Sequence, residues 1–177
     1  MTYILTAQRH HADEATASGA FQRYRAYIAS IRADLPPGAF ALASSDWYFD
    51  SRDPQCPHDA WLETATISES GVGDRGAQRG VSLVVQLLGA YHDGQIVLRY
   101  LGVTRYRIAL GLDGHAEADG HRDWRYDEIR LGTRGRGLVH EIEWWGPMAT
   151  ATWLIEAAEI EYQWRPFTPA TSGEMDA

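Results

Sequence analysis

A chain of 177 residues with a net charge of −8 and a single cysteine fits one domain large enough to bury a core without disulfides or a cysteine-based zinc site. Its acidic balance argues against nucleic-acid binding, which needs a basic face to displace counterions from phosphate. All 16 basic residues are arginine, which excludes a P-loop, a Schiff-base lysine and a Ser-Lys nucleophile.

The opening residues lack the basic start and apolar run of a secretory signal. No stretch approaches the roughly 20 apolar residues of a membrane span. Cytoplasmic localisation, no membrane contact and a lone reduced thiol are the expectations. From Asp13 to Leu35, Ala17, Phe21, Tyr24, Ile28, Ile31 and Leu35 recur at alternating spacings of 4 and 3. This spacing predicts an amphipathic helix over about 13–35, started by Asp13 and Glu14 and stopped by Pro36-Pro37-Gly38. Gly19 weakens its first turn.

Ala39–Ala43 reads as a short strand, and Trp47-Tyr48-Phe49 as an aromatic island among turn residues. From Trp61 the period changes to two. Strands are predicted at 61–68, 81–91, 95–101, 103–110, 124–131, 138–145, 150–156 and 158–164, with a Gly/Arg-rich loop at 71–80 and a long loop at 111–122. Asp93-Gly94 is a hairpin signal. Connections this short demand antiparallel pairing. The expected fold class is therefore α+β: a large, mostly antiparallel sheet or half-barrel of about 7–8 strands, with one N-terminal amphipathic helix packed on it. Residues 1–165 form the single domain, its β-meander over about 61–165, and 166–177 read as a disordered tail.

Histidine stands beside acid in His58-Asp59, His92-Asp93, His121-Arg122-Asp123 and His140-Glu141. Counting strand reversals places His58, Asp59, His92, Asp93, His121 and Asp123 on one rim, with His115 in the same loop cluster and His140 toward the opposite end. Local hydrogen bonding at turns explains such pairs without a ligand. A partner-binding rim is the second reading. The third is a metal or catalytic site, for which His58, His92, His121 and Asp123 are the ligand set, since imidazole and carboxylate suit Zn, Fe or Mn. Each histidine has its own neighbouring acid, which favours separate hydrogen bonds over a shared ion, so neither metal nor cofactor is expected.

Other residues offer less. No serine has a nucleophile-elbow context. Cys56 and His58, two apart, do not make the tight bond that a thiolate needs. Glu141-x-Glu143 and Glu159-x-Glu161 read as solvated strand faces. Trp144-Trp145 should point to opposite faces, one into the core. The tryptophans also leave open a small-ligand or carbohydrate-binding module.

The run His58-Asp59-Ala60-Trp61-Leu62, with Val97-Leu98-Arg99-Tyr100-Leu101-Gly102-Val103 and Ile155-Glu156-Ala157-Ala158-Glu159-Ile160-Glu161-Tyr162, resembles small bacterial β-rich proteins grouped with the immunity proteins of polymorphic toxin systems. Those begin with a His-Asp-Ala or His-Asp-Ser motif and contain an aromatic-Gly-Val step. The likeness covers about Pro57–Trp164. It implies a non-enzymatic protein that neutralises a toxin by direct binding, and it carries over no catalytic residue. An acidic surface suits a basic toxin as partner.

Overall fold

The computed structural model describes residues 2–6, 13–71, 73–75, 78–110, 120–145 and 150–168. Two helices, α1 (Glu14–Ser30) and α2 (Pro37–Ala43), and a 3-10 turn (Trp47–Phe49) precede eight strands. These are β1 (Trp61–Ser70), β2 (Gly80–Leu88), β3 (Gly94–Leu101), β4 (Arg105–Arg107), β5 (Asp123–Leu131), β6 (Leu138–Trp145), β7 (Thr150–Ala157) and β8 (Glu159–Pro166). All pair antiparallel in one unclosed sheet of order β4-β7-β6-β5-β1-β2-β3-β8. The α+β expectation holds.

Asp13 caps α1 as its position suggested, accepting the Thr16 N–H at 2.8 Å. The helix stops at Ser30, five residues before the expected end. Leu35 is nonetheless buried, and its N–H donates to Ile31 O at 3.0 Å. Ala39–Ala43 is helical rather than a strand. Pro37 supplies the preset φ and missing donor that suit a first helical turn, and a run of small and apolar residues gives no period-two pattern to oppose it. The strand expected at 103–110 shortens to Arg105–Arg107.

The strands are not a simple meander. β1-β2-β3 and β5-β6-β7 are successive hairpins, but β8 returns to pair with β3, and β4 pairs with β7. β7 runs on into β8 through Ala158, whose N–H donates to Leu101 O and Gly102 O at 2.9 and 3.2 Å. At the other seam β1 and β5 share only the Trp61–Asp123 pair and then part. Helix α1 serves β5 where β1 does not: Tyr24 Oη accepts from Ile129 N and donates to Ile129 O, and Tyr27 Oη accepts from Leu131 N. Two tyrosines thus satisfy main-chain groups that a buried edge cannot leave unpaired. The core lies between this helical layer and one face of the sheet, built on Tyr24, Ile28, Leu83, Leu87, Leu98, Ile129, Trp144 and Trp153. Residues 169–177 of the expected tail, and 111–119 of the expected long loop with His115, lie outside the described residues.

Candidate functional site

β1 starts, β2 ends and β3 starts at one place. β5, antiparallel to β1 and paired with it at its own first residue, starts there too and runs the opposite way, so His58, His92 and His121 flank the junction of the two halves of the sheet. Antiparallel partners directly opposite share a face. Register sets Trp61 opposite Asp123, and Asp123 opposite Trp145, which makes a cross-strand row of these three side chains. The Trp61 indole N–H donates to Asp123 Oδ1 at 2.8 Å, and the His92 ring lies edge-on to Trp61 at 4.8 Å. The Arg125 guanidinium sits 4.9 Å above the Trp145 ring. It also donates to Asp59 Oδ1 at 3.0 Å and to His58 Nε2 at 3.2 Å. Arginine only donates, so Nε2 is the accepting nitrogen of His58, and Nδ1 carries the hydrogen given to Arg125 O at 2.8 Å.

This region is both apolar and strained. Trp61, Tyr91, Trp145 and Phe167 are 50, 55, 42 and 47% exposed; Phe167 belongs here because its N–H donates to Asp93 O at 2.8 Å. Among the described residues, the non-glycine positions with left-handed backbone are Asp59 (φ 61°), His92 (φ 56°) and Arg122 (φ 60°). All three border the row. Such conformations cost on the order of 1–3 kcal/mol each and tend to gather at functional sites.

The expected residues therefore flank one junction without converging on a point. His58 and Asp59 are held by Arg125, His92 packs on Trp61, and Asp123 binds the Trp61 indole. His121 turns inward, with Trp144 and Trp153 at 5.3 and 4.9 Å from its ring. Burial there lowers its pKa, partly offset by a hydrogen bond to Ala109 O. Among the described residues no three His, Cys, Asp or Glu side chains are grouped as a metal ion would need.

His140 lies in the core, away from the rim, and its acid is not Glu141. Its Nε2–H donates to Asp127 Oδ2 at 3.0 Å, and its Nδ1 accepts from the Tyr100 hydroxyl at 2.7 Å. Asp127 also accepts from Tyr48 Oη at 2.6 Å and Trp124 Nε1 at 2.9 Å. This Tyr-His-Asp order resembles a proton relay, yet Tyr100 and His140 are fully buried. Burial, with Asp127 adding to it, raises the pKa of both Tyr48 and Tyr100, which keeps the two hydroxyls as donors. A pocket of about 170 Å³ reaches Asp127, Tyr48, Cys56 and His58 but neither Tyr100 nor His140. The arrangement pins the 3-10 turn to β3, β5 and β6.

Cys56 is buried, donates to Tyr48 O at 3.1 Å, and has its pKa pushed up to about 12 by that burial. The His58 backbone N–H donates to the thiol, while both ring nitrogens of His58 go to Arg125. Glu143, expected on a solvated face, is fully buried. Trp144 is core and Trp145 exposed, as the alternation predicted. The sequence reading missed Asp127 and Tyr100. The available signal was that Asp127, two residues before Ile129, takes the inward parity of its strand. Compared with protein-family models, curated proteins and solved structures, the chain gives no match.

Proposed function

We propose that this chain is a non-enzymatic binding protein, an immunity protein that neutralises a basic toxin by direct contact through the rim around Trp61, Asp123 and Trp145. The carrying observation is the row Trp61, Asp123 and Trp145 on three adjacent strands, flanked by His92, Arg125 and Asp59. Trp, Tyr and Arg dominate the energetics of protein interfaces because they combine large area with few rotamers and a polar handle. An exposed row of this kind marks an interaction site more often than an idle surface. The net charge of −8 speeds encounter with a basic partner.

The test is a titration against the protein encoded immediately upstream of this chain's gene. Tyr91→Ala with Trp145→Ala should weaken binding by about 2 kcal/mol per hot-spot side chain, roughly thirtyfold each, with an unchanged circular dichroism spectrum. Both positions are exposed, so the fold should tolerate their loss. Equal binding by the double variant, or no binding by the parent chain, would overturn the reading.

A further inference from the structure

Beyond Trp61, the edge of β1 that faces away from β2 pairs with no described strand. Gly89 N–H donates to Gly94 O, and Val103 N–H donates to Val81 O. Odd-numbered residues of β2 therefore turn their main-chain groups toward β3, and even-numbered ones toward β1. Gln86, Val84 and Ser82 pair with Thr64, Thr66 and Ser68, which consumes the polar groups of those three β1 residues. Ala65, Ile67 and Glu69 point theirs the other way. Among the described residues no main-chain partner meets them there, and the strand is exposed along almost its whole length. At the fork, a notch of about 400 Å³ is lined by Trp61, Leu62, Gly120, His121, Arg122 and Asp123. The His121 ring contributes to its lining, and its buried Nε2 has no hydrogen-bond partner among the described residues.

Unprotected edges invite an added strand. We propose that the edge of β1 takes up an extended segment of a basic protein partner, paired through the main chain of Ala65, Ile67 and Glu69, with an arginine or lysine seated in the notch against Trp61 and Asp123. Trp61 is half exposed and offers a cation–π face, and Asp123 Oδ1 is already oriented by the Trp61 indole. Trp61–Ser70 holds Glu63 and Glu69 and no cation, so alternating basic side chains complement it. A second copy of the chain offers no cation to either acid. Two-fold antiparallel pairing joins residues whose numbers have an even sum: centred on Ala65 it sets Glu63 opposite Ile67 and Glu69 opposite Trp61, and centred on Thr66 it sets Glu63 opposite the other copy's Glu69 twice. Like charges directly opposite are destabilising.

The inference rests on the binding reading above and names the partner's chemistry. Its test uses eight-residue peptides of alternating valine and arginine, the same peptide N-methylated at its valines, and alternating valine and glutamate. The arginine peptide should slow amide exchange at Ala65, Ile67 and Glu69 at least tenfold, while the other two leave it unchanged. Ile67→Pro removes one outward donor and leaves the bonds to β2, and should weaken arginine-peptide binding at least tenfold. Glu69→Arg, a second variant that leaves the backbone alone, should shift preference toward the glutamate peptide. Protection elsewhere, equal binding of the methylated peptide, or indifference to both variants overturns the proposal. A concentration-dependent dimer abolished by Ile67→Pro overturns it in favour of self-pairing. Neither variant touches Tyr91 or Trp145, so failure here with the rim titration intact sinks the edge alone.

Discussion

The Asp127 carboxylate is held by three donors, Tyr48 Oη, His140 Nε2 and Trp124 Nε1, inside a site that water barely reaches. Removing it orphans all three, whereas removing one donor leaves two. Asp127→Ala should therefore cost more than about 3 kcal/mol in urea unfolding, since each buried donor left unsatisfied costs about 1–3 kcal/mol. Tyr100→Phe, which takes only the bond to His140 Nδ1, should cost about 1–3 kcal/mol. Equal losses would mean that the carboxylate is not the hub. The sequence hid this hub for a physical reason. Neighbours on a strand face opposite sides, so His140-Glu141 is adjacent in sequence and apart in space, while the acid that meets His140 lies across the ladder on β5. At turns the rule does not apply, and there His58-Asp59 does stay together, under Arg125.

Among the elements, the helical seam was legible because a 4-3 spacing lines up on one face of a helix and scatters over both faces of a strand. Tyr24 and Ile28 are its most buried members. Its end was not legible. Leu35 continues the spacing beyond Ser30 and is buried through a turn instead, so Leu35→Pro should disturb both packing and the bond to Ile31. Two glycines separate helix propensity from packing. A Cβ at Gly38 would lie 2.0 Å from Ile160 O, where α2 presses on the β8 backbone, while one at Gly19 meets only the far end of Arg23 at 3.3 Å. Gly38→Ala should lower the melting temperature sharply. Gly19→Ala should raise stability by about 0.5–1 kcal/mol, the helix-propensity gain. Similar effects from both would show that α2 does not sit against β8.

For the whole molecule, period-two runs and turn signals were enough for eight antiparallel strands, because alternation reports one buried face directly. Strand order was hidden. Nothing local says that β8 returns to β3, or that β1 parts from β5 after one pair, since both depend on the corner at Ala158 and on tyrosines from α1. The count of reversals has the fourth strand descending into the His121 loop, whereas β4 pairs with β7 and runs in the direction of β1, and His121 comes near Trp61 because β5 meets β1 start to start. The molecule thus buries its polar network at the centre and exposes aromatic and charged groups around that junction, which is where a partner should bind. Amide exchange with and without the protein encoded upstream tests this most directly. Exchange should slow at Asp59–Leu62, Tyr91–Gly94 and Gly120–Arg125, with α1 and α2 unchanged. Protection centred on α1 and α2, with those rim segments exchanging as in the free chain, would contradict it.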